Sequence, residues 1–232
     1  IKSTKYMNRT LFALAFCCIQ VITGYAQKTN PLRDSLRKAT EALAYHPDST
    51  ELRLKKASWN MLLQEWEYAK EEYDRILSRD ADNPAALYFR AYVNGKLSRY
   101  NFARLDYQHL LCFVPGSFEA QLGLALLNET DRHFTEAFDG INRLISQFPD
   151  SAVAYAARAN MERERKMLEL AAFDYTEAIK REPHNRDYRL SRADVRLMLK
   201  KKEEALEDLE YLVSSLGVAR ASLKEFFERA RK

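Results

Sequence analysis

Residues 84–117 read PAALYFRAYVNGKLSRYNFARLDYQHLLCFVPGS, and this stretch decides the fold. Its apolar spacing predicts two helices, Ala85 to Lys96 and Asn101 to Phe113, with Leu97-Ser98-Arg99 as the turn and Pro115 as the stop. Recurrence makes it more than a local hairpin. Steps of 34 residues from Ala91 fall on Ala57, Ala125, Ala159 and Ala193, and steps from Ala103 fall on Ala69, Ala137, Ala171 and Ala205. Two unbroken alanine ladders in one register, without insertions, signal stacked supersecondary units.

The other positions give the physical reason. Four residues after the second alanine stand Tyr73, Tyr107, Ile141, Tyr175 and Leu209, and three further on Ile76, Leu110, Leu144, Ala178 and Leu212. Spacings of four and three put these on one helical face. Alanine fits where two helices cross closely, and the bulky residues fill the space beside the crossing. Three residues before the second alanine stand Trp66, Tyr100, Phe134 and Leu168, with Lys202 as the polar exception. Pro115, Pro149 and Pro183 close three units, where the ring can stop a helix.

The pattern resembles the tetratricopeptide repeat, in a small residue mid-way along the first helix (A), Ala-x3-aromatic on the second (B), and a terminal proline. The resemblance covers residues 50–219 in five units: 50–83, 84–117, 118–151, 152–185 and 186–219. Departures exist. Arg53, Leu87, Gln121, Tyr155 and Arg189 stand where the family has tryptophan, and units one and five end in Ala81 and Gly217 instead of proline. The resemblance implies an all-α, right-handed superhelical solenoid of helix-turn-helix repeats whose A helices line a concave face. It also implies a scaffold that holds a peptide or partner protein.

Outside the repeats, Lys2, Lys5 and Arg9 precede an apolar run from Leu11 to Ile22, and Gly24-Tyr25-Ala26 offers small residues for cleavage. Residues 1–26 are expected to be a secretory signal peptide with an upstream extension, starting at Met7 and cut after Ala26. The apolar run is too short to span a bilayer. The alternative is an outer-membrane lipoprotein acylated on Cys17, against which the bulky Phe16 argues. The location expected is periplasmic or secreted. Residues 27–49 read as a half-repeat, a lone B helix from Pro31 to Tyr45 that covers repeat one. Residues 220–232 read as a capping helix from Arg220 to Arg231, with Leu223, Phe226, Phe227 and Ala230 on one side.

The full chain has 37 basic and 33 acidic residues; without residues 1–26 it has 34 and 33, and net charge +1. A nucleic-acid binder would show a basic excess or stripe, so nucleic acid is not expected as a partner. Cys112 would then be the lone cysteine, which excludes an intrachain disulfide; it is expected to be a buried helix-B residue. His46, His109, His133 and His184 are scattered, and no metal-ligand spacing, phosphate loop or nucleophile elbow occurs. No enzyme activity, cofactor or metal is expected. The basic runs Arg163-Glu164-Arg165-Lys166 and Lys200-Lys201-Lys202 read as solvated turns.

Comparing repeats yields two finer features. The residue before the first alanine is Lys56, Arg90, Leu124, Arg158 or Arg192, and the residue three after the second is Glu72, Asp106, Gly140, Asp174 or Asp208. Base and acid occur together and vanish together, which implies a structural ion pair between the two helices of every repeat except the third. Repeat three also carries Gly123 and Gly140 inside helices, read either as close approach of a neighbour or as drift.

In the family, ligands meet helix A at the second, fifth, ninth, twelfth and thirteenth repeat positions. The lysine and asparagine of its carboxylate clamp are missing at those places here, so a terminal-carboxylate ligand is not implied. The first three repeats offer Leu54, Met61, Tyr88, Tyr92, Leu122 and Leu126 as a partner-binding groove. Gly95 and Gly123 add space, with Glu119, Glu129 and Lys96 as a polar rim. The competing reading makes several of these simple core. Two functions stand: an exported interaction scaffold, or a self-associating structural subunit of an envelope assembly.

Overall fold

A computed structural model describes residues 30–231; the segment read as a signal peptide, its expected cleavage position and Cys17 lie outside the described residues. Described residues form α-helices, one short 3-10 turn and no strand. The helices are α1 (Pro31–Tyr45), α2 (Thr50–Leu62), α3 (Trp66–Leu77), α4 (Pro84–Lys96), α5 (Tyr100–Phe113), α6 (Phe118–Thr130), α7 (Phe134–Gln147), α8 (Ala152–Glu164), α9 (Leu168–Arg181), α10 (Arg186–Met198), α11 (Lys202–Ser214) and α12 (Lys224–Arg231). From α2 onward they fall into five A–B pairs, each A helix 13 residues long, an all-α repeat solenoid. The chain divides into two compact units, the first ending at Ile76 and the second beginning at Leu77.

Each repeat is built by the same local chemistry. Helix A starts on Ser49, Asn83, Ser117, Ser151 or Asn185, whose side-chain oxygen accepts a backbone N–H of the first turn. Helix A ends where Gln64, Ser98, Arg132, Lys166 or Lys200 adopts the left-handed conformation, with φ of 59°, 58°, 62°, 63° and 61°. The next residue then donates its N–H five residues back, as Arg99 does to Asn94 O at 2.8 Å. This closes the helix by a six-residue ring. That closing residue immediately precedes helix B, so the turn sets the angle of the pair.

Both alanine ladders are sealed. Ala57, Ala91, Ala159 and Ala193 are fully buried and Ala125 is 1% exposed; Ala69, Ala103, Ala137, Ala171 and Ala205 are fully buried. The large residues four positions on, Tyr73, Tyr107, Ile141, Tyr175 and Leu209, are also buried. One cluster joins Ala125, Ala137 and Ile141 to Ala157 and Met161, so the core of repeat three runs into repeat four without a break. In the first unit, α1 packs on α2 and buries Ala39 and Leu43, and Arg33 reaches Glu65 at 2.6 Å.

Two expectations are corrected. Cys112 is exposed on α5, not buried. Its equivalents one repeat apart, Ser78, Ser146, Lys180 and Ser214, are exposed as well, so this position faces solvent in every repeat. The terminal cap is not one helix from Arg220. Arg220–Leu223 form a 3-10 turn in which Ser222 Oγ donates to Ala219 O at 2.7 Å, and α12 begins only at Lys224. The tighter turn drives Leu223 into the core beside Phe227.

A two-tyrosine cleft between the A helices of repeats two and three

On α4, Tyr88, Tyr92 and Gly95 follow one another at helical spacing; on α6, Glu119, Leu122, Gly123, Leu126 and Thr130 do the same. Between them lies a cleft of about 330 Å³, with Tyr107 and Tyr100 of α5 also in its lining. Tyr88 meets the Tyr107 ring edge to face, with centroids 5.9 Å apart. Tyr92 and Leu126 stand at the mouth, 38% and 41% exposed, and the Lys96 ammonium lies 5.1 Å from the Tyr92 ring centre. Burial pushes the hydroxyls of Tyr88 and Tyr107 above the ordinary phenol value. Both stay protonated at neutral pH and can donate as well as accept. The cleft therefore offers an apolar bed with neutral hydrogen-bonding groups.

Gly123 is where sequence and geometry meet most tightly. A Cβ there would lie 2.6 Å from Tyr107 Cζ and 2.7 Å from its hydroxyl, so the glycine seats the tyrosine. Gly140 serves a helix crossing: its Cβ would lie 3.3 Å from that of Ala125. Gly95 is looser, with Leu127 Cδ1 3.5 Å from the position of a Cβ.

Of the six groove candidates, the structure brings Tyr88, Tyr92, Leu122 and Leu126 together. Leu54 and Met61 belong to the first unit, where the Met61 sulfur accepts the Tyr73 hydroxyl at 3.0 Å. Glu119 and Lys96 line the cleft, but Glu129 does not. Its Oε2 is buried without a hydrogen-bond partner, and burial raises its pKa.

The helix-A bases and helix-B acids lie in contact within their repeats. Lys56 Nζ meets Glu72 at 2.8 Å. Arg90 donates to both oxygens of Asp106 at 2.9 and 2.6 Å, and Arg158 to both of Asp174 at 2.5 and 2.8 Å. Arg192 does so with Asp208 at 3.0 and 2.6 Å. All four acids are buried. A planar guanidinium matched to two carboxylate oxygens is the geometry in which a desolvated pair is best compensated.

Sequence comparison of the ion pairs missed further bases. Arg53 and Arg189, at the position where the resemblance leads one to expect tryptophan, give a second cation to Glu72 at 2.8 Å and to Asp208 at 3.3 Å. Arg196 adds a third to Asp208 at 2.7 Å. The signal was present, since each stands 19 or 12 residues before its acid. Burial would raise the Glu72 carboxyl, but hydrogen bonds from Lys56 and Arg53 outweigh it and hold the group below its usual value.

One further position varies on the same network: Asn60, Asn94, Asn128, Glu162 and Arg196. Asn94 donates weakly to Asp106, at 3.4 Å. Glu162 instead brings a second carboxyl toward Asp174. Burial and that neighbouring charge push it up to about 7.

Among the described residues no group of three or more histidines, cysteines or carboxylates is placed to hold a metal ion.

No protein-family model matches the chain, and no curated protein matches it. Solved structures do. The chain is similar to a tetratricopeptide repeat protein from Parabacteroides merdae at 25% identity, over 87% of this chain and 78% of that one, with a TM-score of 0.71. It shares its fold with PilW, a widely conserved type IV pilus biogenesis factor, at 17% identity, over 92% of this chain and 96% of that one, with a TM-score of 0.72. It shares it also with a thermophilic tetratricopeptide repeat protein from Thermus thermophilus, at 16% identity, over 79% of this chain and all (100%) of that one, with a TM-score of 0.61. With five helix pairs whose first helices are all 13 residues long and alanine at both crossing positions of each, the chain has the fold of tetratricopeptide repeat proteins.

Proposed function

We propose that this protein is an exported interaction scaffold that holds a segment of a partner protein in the cleft between α4 and α6. The observation that carries the reading is the pairing of Tyr88 and Tyr92 with Leu122 and Leu126 around one opening of about 330 Å³. Aromatic anchors beside aliphatics grip an apolar side chain, and neutral tyrosine hydroxyls can bond a peptide backbone. Lys96 and Glu119 supply one charge of each sign at the lining. The cell-envelope location rests on the basic start and apolar run of residues 2–22. It is supported by the fold shared with PilW, itself a pilus biogenesis factor.

The test is capture of partners from the native envelope fraction, followed by affinity measurement with Tyr88→Ala combined with Tyr92→Ala. Loss of about tenfold or more in affinity is expected for two anchor residues. A folded double variant that binds as tightly as the parent removes the cleft as the site.

A further inference from the structure

Repeat three lacks the internal ion pair, and the structure shows what its absence leaves. On the helix-B side a second cleft of about 420 Å³ opens, lined among others by Leu124 and Gly140, the two positions that carry base and acid elsewhere. In repeats four and five the same position is filled by a guanidinium spanning two walls. Arg158 reaches from Asp174 of its own repeat to Asn142 Oδ1 of the preceding one at 2.8 Å, and Arg192 from Asp208 to Thr176 Oγ1 at 3.0 Å. Gln108, in repeat two, is the counterpart of Asn142 and Thr176 on the wall that faces repeat three, and it too lines the cleft. The receiving amide is in place; the arginine is gone.

The acid has shifted, not disappeared. Asp139 precedes Gly140, and Glu136 stands one turn before it on α7; both line the cleft. Among the described residues neither has a hydrogen-bond or ion-pair partner, and Arg143 on the same wall has none either. The wall thus carries one net negative charge facing an amide across an apolar floor of Leu111 and Leu124. Along α5 toward this opening, Phe102 and Leu105 are 64% and 61% exposed, at three-residue spacing from Gln108. An exposed apolar shelf on the helix that carries Gln108, with a wall of net negative charge on α7, fits a partner that is apolar and cationic.

We propose that this cleft is a docking slot for an arginine side chain of a partner protein, which supplies from outside the guanidinium that repeat three lacks. Its methylene stem lies over Leu111 and Leu124, and its planar head bonds Gln108 on one wall and Asp139 or Glu136 on the other. Phe102 and Leu105 receive apolar neighbours of that arginine. The slot shares no lining residue with the two-tyrosine cleft, so it stands whether or not that cleft binds.

The probe is a fluorescein-labelled helical peptide with leucine and arginine along one face, compared by fluorescence anisotropy with the same peptide carrying citrulline for arginine. Citrulline keeps the shape and removes the charge. The arginine peptide is expected to bind, and the citrulline peptide to bind about tenfold or more weakly. Leu124→Arg with Gly140→Asp rebuilds the internal pair without changing net charge. It should fill the slot and weaken the arginine peptide by a similar factor, while circular dichroism confirms the fold. Glu136→Gln with Asp139→Asn should weaken it too, and Tyr88→Ala with Tyr92→Ala should not. Failure of the arginine peptide to bind, equal binding of the citrulline peptide, or undiminished binding to the rebuilt variant overturns the proposal.

Discussion

The phenol end of Tyr107 lies against Gly123, so closely that a Cβ on the glycine would sit 2.6 Å from Tyr107 Cζ. Helix propensity alone favours alanine over glycine there by about 1 kcal/mol. Packing opposes it, because Tyr107 is only 4% exposed and has little room to retreat. Overpacking of this kind costs about 1–3 kcal/mol, so Gly123→Ala should be net destabilising in urea titration. An alanine variant as stable as the parent would show that the contact is slack.

The Arg90–Asp106 pair should behave as a coupled unit. Arg90→Ala leaves a buried carboxylate short of its main partner and should cost on the order of 1–3 kcal/mol. Arg90→Leu with Asp106→Gly copies repeat three and should cost less than the two single changes added together. Denaturant unfolding of the four proteins measures this, and strict additivity would contradict the contact.

Glu162 makes stability depend on pH. Its carboxyl rises from an ordinary 4.5 to about 7 through burial and the charge of Asp174. The folded chain therefore holds this proton more tightly than the unfolded one. The stability it contributes is complete below pH 4.5 and is lost as pH rises through 7. Glu162→Gln stays neutral throughout. It should match the parent near pH 4.5 and exceed it at pH 8.5, by on the order of 1–3 kcal/mol. A difference between the two that does not change over that range would mean that Glu162 is already solvated.

Removing residues 30–46 takes away α1, and with it the helix that covers α2 in the first unit. The stripped A helix exposes apolar surface that a terminal repeat must cap, so the shortened protein should aggregate or melt at a lower temperature. Light scattering and calorimetry check this. A monomeric product with unchanged melting temperature would show that α1 adds nothing.

What was readable in the chain was whatever recurs as a residue type. Ala91 alone says little, but alanine at the same place in five repeats marks a crossing too close for anything larger. The left-handed turn residues Gln64, Ser98, Arg132, Lys166 and Lys200 recur in conformation without recurring in type. None is glycine, so no composition signal marks them; the packing of A against B imposes the turn. The Ser and Asn caps at positions 49, 83, 117, 151 and 185 did carry a signal that spacing of the apolar residues overlooks. Cys112 misled because free cysteine is so often buried, whereas its repeat partners, three serines and a lysine, mark an outer position. Four of the six groove residues share a cleft because they fall in adjacent repeats at matching positions. Which molecule enters it is not encoded in periodicity at all.

The most direct measurement is site-specific photocrosslinking in the native cells with a photoreactive residue at Leu126, on the wall of the two-tyrosine cleft. A discrete protein adduct at this position, lost when Tyr88→Ala and Tyr92→Ala are introduced together, is the result expected of a scaffold that grips its partner there. No adduct at Leu126, or one that persists unchanged in the double variant, would contradict it.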